Sequence, residues 1–206
     1  MSIFCSFAMD LCQVGGITPI PPLMKENYLR ETELLCKLLP ANSSVLQVGS
    51  MDGERAIRLL RGRPDLQITG LEIEQELVNV AKQKVPSAGF KMKSVLGNIT
   101  ALPDIGIFDY VICLNNTLGY ISPQEEALDG MRRLSKNIIV SVYGEKFTNG
   151  LAKEYFDALG LEIAEIDGDK FVVKDFTSVR RYNRGDVEAW SEDITETPVG
   201  YFCILK

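Results

Sequence analysis

The stretch SVLQVGSMDGERAIRLL, residues 44–60, limits the fold of this chain more than any other. Val45, Leu46 and Val48 make a short apolar run that stops at Gly49. Ser50, Met51, Asp52 and Gly53 form a polar turn, and Ala56, Ile57, Leu59 and Leu60 then recur at helical spacing. Strand, glycine turn and helix in that order predict the first βα unit of a doubly wound sheet, where nucleotide-like ligands bind. Gly49 and Gly53 let backbone lie close to a ligand that a Cβ would push away.

Residues 66–71 predict a second strand, closed by Glu72. This acid stands roughly 20 residues beyond the glycine turn, the offset at which a carboxylate meets ribose hydroxyls. An ionised carboxylate accepts charge-assisted bonds from two hydroxyls, which explains the residue type. A dinucleotide fingerprint wants glycine where Met51 and Glu54 stand. The charges of Asp52 and Glu54 would also repel a pyrophosphate. The turn suits a nucleoside ligand without phosphates.

In these motifs the chain resembles the class I S-adenosylmethionine (SAM) methyltransferases, whose first motif is roughly D/E-x-G-x-G-x-G. Gln47 takes the place of the acid and Met51 that of the middle glycine. The resemblance implies SAM as cofactor, held by Gln47, Gly49, Ser50, Asp52 and Gly53 in the turn and by Glu72 with Ile73 after the second strand. It places Asn98 and Ile99 at the adenine, because Gly97-Asn98-Ile99 follows a predicted third strand over 90–96 where the family usually reads G-D-A. Asn98 can still accept through its amide oxygen. As plain turn residues, Gly97 and Asn98 need no ligand.

The sequence FDYVICLNNTLGYI, residues 108–121, looks much like the family's fourth motif. Its apolar run over 107–114 predicts a central parallel strand buried on both faces. Leu114 and Asn115 end that strand and would meet the cofactor's methionyl part. Asn116, Tyr120, Tyr143 and Arg181 are candidates for the acceptor. An Asn-rich turn that satisfies its own backbone is the alternative reading of Asn115 and Asn116. Residues 24–39 predict an amphipathic helix, from which Tyr28 would cap the methionine end or serve as a core-edge aromatic.

Further helices are expected over 74–84, 124–134 and 147–159, with Pro86 and Gly89 breaking the first, and a fifth strand over 137–143. Strands over 161–166 and 199–205 would form the family's antiparallel C-terminal hairpin. The expected class is therefore α/β: a doubly wound, mostly parallel seven-stranded sheet with helices on both faces. Residues 1–22 read as an N-terminal arm whose prolines at 19, 21 and 22 stop regular structure. Residues 23–206 read as one domain. Its 167–198 insertion is a small ribbon, serving as an acceptor lid or as a solvated hairpin whose arginines pair with Glu188, Glu192 and Asp193.

The net charge of −6 argues against general nucleic-acid binding. The absence of histidine removes His metal sites and His bases, so no metal is expected and proton transfer falls to groups such as Tyr120, Tyr143 or Glu145. Five scattered cysteines without C-x-x-C suggest reduced thiols in a cytoplasmic protein. The apolar stretch over 2–9 is too short to span a membrane. The reading that results is a SAM-dependent methyltransferase acting on a small-molecule acceptor by in-line displacement, with homo-oligomer formation left open. A non-catalytic SAM-fold binding or assembly protein is the alternative, and a nucleotide-dependent oxidoreductase is a third reading.

Overall fold

The computed structural model describes residues 20–102 and 104–205. Most of the expected N-terminal arm lies outside the described residues. Helix α1 (Pro22–Leu38) begins where the prolines were expected to stop regular structure. Pro22 sits in its first turn, where a missing N–H costs nothing and the fixed φ suits a helix. The inward face of α1 carries Met24, Asn27, Glu31 and Leu35; of the leucines on the expected apolar side Leu35 and Leu39 are buried, while Leu29 and Leu38 are exposed.

The remaining elements alternate as predicted. They are β1 (Ser44–Val48), α2 (Glu54–Gly62), β2 (Gln67–Glu72), α3 (Gln75–Ser87), β3 (Lys93–Leu96), β4 (Tyr110–Cys113), α4 (Gln124–Leu134), β5 (Ile138–Tyr143) and α5 (Asn149–Ala158). Pro86 does not break α3 but lies in its last turn, and Gly89 follows at φ 85°. After α5 come β6 (Ile163–Asp167), β7 (Lys170–Val173), β8 (Ser178–Arg180), α6 (Arg184–Glu188), β9 (Asp193–Glu196) and β10 (Gly200–Leu205).

Seven strands form one sheet in the order β3-β2-β1-β4-β5-β10-β9. The first five are parallel, and β10 runs antiparallel to both β5 and β9. Strand alternation sends Val45, Ile68, Ile112 and Ile139 to one face, against Leu35 of α1 and Leu59 and Leu60 of α2. Leu46, Leu71, Val111 and Val140 go to the other, against Leu128 and Met131 of α4. Strand order reverses between β1 and β4, so a crevice opens at their C-terminal ends. Val48 registers with both Leu71 and Cys113, so Gly49, Glu72 and Asn115 emerge at the same sheet edge.

The sixth strand is where the sequence expectation fails. Residues 163–167 do not join the main sheet; they open a separate antiparallel sheet in the order β6-β7-β8. The physical reason is local. Asp167 pairs with Lys170 across Gly168 and Asp169, a two-residue Gly-Asp loop that closes a hairpin with little loop entropy, and Gly168 takes φ 54°. The polar segment DITE of β9 then takes the edge beside β10. The small ribbon expected over 171–179 is present as β7 and β8.

Candidate functional site

The crevice is a cavity of about 1090 Å³. Gly49, Ser50, Asp52, Glu72, Ile73, Asn98, Ile99 and Asn115 line it, drawn from the ends of β1, β2, β3 and β4. Tyr28, Tyr120 and Tyr155 line it as well, with Arg55 and Arg58 of α2 and Phe176 of the inserted sheet. Gln47, Gly53 and Leu114 do not line it. Gln47 points into the α1–α2 face of the sheet, 1% exposed, and its Nε2 has no partner among the described residues. Gly53 is a packing glycine: a Cβ there would lie 2.5 Å from Val85 Cγ2, and its φ is 84°.

The elbow is held by backbone. Gly49 N and Ser50 N both donate to Leu71 O, at 2.9 and 3.1 Å. A Cβ on Gly49 would meet Thr117 Cγ2 at 2.5 Å. Met51, standing where a glycine was expected, adopts φ 49°. A left-handed conformation costs a non-glycine residue roughly 1–2 kcal/mol. The Met51 N–H donates to Glu72 Oε2 at 2.8 Å, which ties the elbow to β2 and offsets that strain. The Met51 side chain lines the cavity and leaves it open.

Glu72 is 5% exposed, and its other oxygen accepts from Ile73 N at 2.8 Å and Glu74 N at 3.3 Å. Burial pushes its pKa up, opposed by these three N–H donors. The acidity of the elbow is lower than the sequence implied. Lys84 of α3 reaches Asp52 at 2.5 Å and Glu54 at 2.9 Å.

Asn98 Oδ1 accepts from Thr100 N at 3.0 Å, a turn bond that leaves one lone pair of the oxygen free. Asn115 and Asn116 both take left-handed backbone, at φ 51° and 60°, which asparagine tolerates best among non-glycines. Asn115 Oδ1 accepts from Tyr143 Oη at 3.2 Å. Asn116 lies outside the cavity, in the turn between β4, β5 and the inserted sheet. Its Nδ2 donates to Arg180 O at 2.9 Å and its Oδ1 accepts from Tyr143 N at 3.1 Å.

Of the four expected acceptor residues, only Tyr120 reaches the cavity. Tyr143 is buried and stacks on Phe147 with ring centroids 4.1 Å apart. Arg181 is fully engaged elsewhere, with Asp169 at 3.1 Å, Asn149 Oδ1 at 3.0 Å and two backbone carbonyls. Arg180 and Arg184 of the insertion pair with Asp186 and Glu188, so among the described residues Glu188 is the only expected partner used. Glu145 accepts from Tyr201 Oη at 2.5 Å and Arg184 N at 2.9 Å, and it does not line the cavity.

Sequence reasoning missed Glu31. Its Oε1 accepts from Asn27 Nδ2 at 3.1 Å, from Asn115 N at 3.2 Å and, closely, from Ser141 Oγ. The signal was the polar pair Asn27 and Glu31 sharing an α1 face with Met24 and Leu35. Burial raises the Glu31 pKa above its ordinary value of 4.5, against the pull of those donors. The folded state therefore holds this proton more tightly than the unfolded chain. The resulting stability is present in full below pH 4.5 and is lost as pH rises through the folded value. Glu31→Gln keeps the acceptor and removes the ionisation. Thermal melts between pH 5 and 8 should show a flatter decline for the variant and a higher melting temperature at pH 8; parallel curves would refute the assignment.

Residues 45–137 match the family model described as Methyltransferase domain. Over that stretch, from β1 to the start of β5, the chain is similar to a methyltransferase domain. The chain is 25% identical to the carboxy-S-adenosyl-L-methionine synthase of Campylobacter jejuni subsp. doylei over 187 residues, 87% of this chain and 72% of that protein. The synthase of Campylobacter concisus is 24% identical over 173 residues, 82% of this chain and 68% of that one. Among solved structures, an S-adenosylmethionine-dependent methyltransferase from Clostridium acetobutylicum aligns with TM-score 0.63 at 14% identity, covering 98% of both chains. A putative O-methyltransferase from Nostoc punctiforme aligns with TM-score 0.68 at 16% identity, covering 98% of this chain and 60% of that one. At such identities the structures speak for the fold. The expected enzyme class and cofactor are borne out by these matches. Among the described residues no helix is long and apolar enough to cross a membrane.

Proposed function

We propose that SAM lies along this cavity, with its adenine at Asn98 and Ile99, its ribose at Glu72 and its methionyl part between the Gly49–Ser50 elbow and Asn115. The observation that carries the reading is Glu72. It is buried at the cavity wall and fixed by three backbone donors, and its Oε2, which accepts only from Met51 N, keeps acceptor capacity for a ribose hydroxyl. The cofactor supplies an electrophilic methyl on a sulfonium. The chain aligns a small-molecule nucleophile in line with it and keeps water out with Tyr28, Tyr120 and Tyr155. The leaving thioether is neutral, so no acid is required. Tyr120 is the only one of the expected bases that reaches the cavity. Burial drives its pKa well up, which makes it a positioning donor rather than a base. Calorimetry with SAM and S-adenosylhomocysteine (SAH) tests the reading; no binding of either at millimolar concentration would remove it.

The Campylobacter relatives carry a second reading. They are named for making carboxy-SAM, a reaction in which SAM is itself modified. Mass spectrometry of turnover mixtures separates the two, since methyl transfer leaves SAH. The free thiols of Cys36, Cys113 and Cys203 support a cytoplasmic, reducing location.

A further inference from the structure

The cavity contains a cation that nothing above employs. Arg55 stands in the first turn of α2, where the helix dipole disfavours positive charge. Its Nη2 lies 3.9 Å from Met51 Sδ, a weak acceptor. Its Nη1 is buried and has no hydrogen-bond partner among the described residues, and no carboxylate among them forms an ion pair with it. Arg58, one turn along, also lines the cavity and sits over the Tyr28 ring with its Cζ 5.6 Å from the centroid. Burial and then the Arg55 charge hold the pKa of Arg58 down, against the pull of Glu54, Tyr28 and Glu31, and Arg55 feels the buried Glu31 through space although no ion pair joins them. Around them stand flat apolar walls. Tyr28 and Tyr155 bridge through their hydroxyls at 3.0 Å, and Tyr120 meets Phe176 edge-on with centroids 6.1 Å apart.

A buried guanidinium with an orphaned N–H is costly unless an anion completes it. Its planar fork matches a carboxylate in bidentate geometry. We propose that Arg55 seats a carboxylate of the bound small molecules, at the tyrosine-walled end of the cavity. The inference rests on the SAM reading. Two carboxylates could occupy the seat: that of the cofactor's methionyl end, or one on an aromatic acceptor stacked among the tyrosines.

Three probes distinguish them by calorimetry: SAH, 5′-methylthioadenosine, which lacks the amino-acid end, and 3-phenylpropionate added to SAH-loaded protein. If the seat serves the cofactor, Arg55→Gln weakens SAH about tenfold or more and leaves 5′-methylthioadenosine within a factor of about two. If it serves the acceptor, both nucleosides bind as before and 3-phenylpropionate binding to the parent is lost in the variant. Arg55→Lys keeps a charge without the fork and should recover part of the loss. If Arg55→Gln fails to give a cooperative melt, the same contrast is read on Arg55→Lys, with a smaller loss expected. Variants that bind all probes as the parent does, or that weaken SAH and 5′-methylthioadenosine equally, overturn the inference while leaving the SAM reading intact. A parent that binds neither nucleoside removes both.

Discussion

Gly130→Ala is expected to lower stability by about 3 kcal/mol, although alanine normally strengthens a helix by about 1 kcal/mol over glycine. Gly130 lies in α4, and a Cβ there would fall inside the van der Waals envelope of the Ile99 carbonyl oxygen. That carbonyl is backbone and cannot rotate away. Either α4 lifts from the sheet, exposing Leu128 and Met131, or the Ile99 segment is driven toward the cavity it lines. Urea unfolding reads the first outcome, and a parallel loss of SAH affinity reads the second. Gly150→Ala is the internal comparison. It also lies in a helix, yet the nearest atom to its Cβ would be 3.9 Å away, so it should be neutral or stabilising. Equal effects at the two positions would show that the Gly130–Ile99 approach is not what holds α4.

Glu72→Ala should weaken SAH by about 10- to 100-fold, the equivalent of about 1.4–2.8 kcal/mol. Two effects add. The ribose loses its charge-assisted acceptor, and the Met51, Ile73 and Glu74 N–H groups lose theirs. Met51 keeps its left-handed backbone only while something holds it there, so the elbow should relax and the Gly49 approach to Thr117 with it. Glu72→Gln, which retains one acceptor oxygen, should fall between. Stability should drop less than affinity, because removing a buried carboxylate also removes its desolvation cost. Calorimetry and a thermal melt on the same samples separate the two. Unchanged SAH binding in Glu72→Ala would take the ribose away from β2.

The parts of the site legible in the sequence are those fixed by backbone and by strand register. Gly49, Glu72, Asn98 and Asn115 follow strand ends, and parallel strands in register bring their ends together whatever the side chains do. Side-chain direction was less legible. Gln47 and Leu114 sit at the right place in their motifs, yet they lie outside the cavity, since alternate residues of a strand point to opposite faces. Asn116 and Arg181 were polar residues at plausible positions. Both are consumed in holding the inserted sheet against the β4 turn and α5, contacts between segments far apart in the chain. Arg55 and Arg58 share a helix face that reads as solvated until α1 and α5 close over it. The edge strand escaped because DITE is too polar to look like a strand, while residues 163–167 looked like one and were captured by a nearer partner.

In the proposed binding mode the elbow and Glu72 hold an adenosine bearing no phosphate. Titration of SAH into the 206-residue chain, with NADH as the competing ligand, tests it most directly. Saturable SAH binding that NADH does not displace is the result predicted here. Absence of SAH binding at millimolar concentration, or displacement of SAH by NADH, would contradict it.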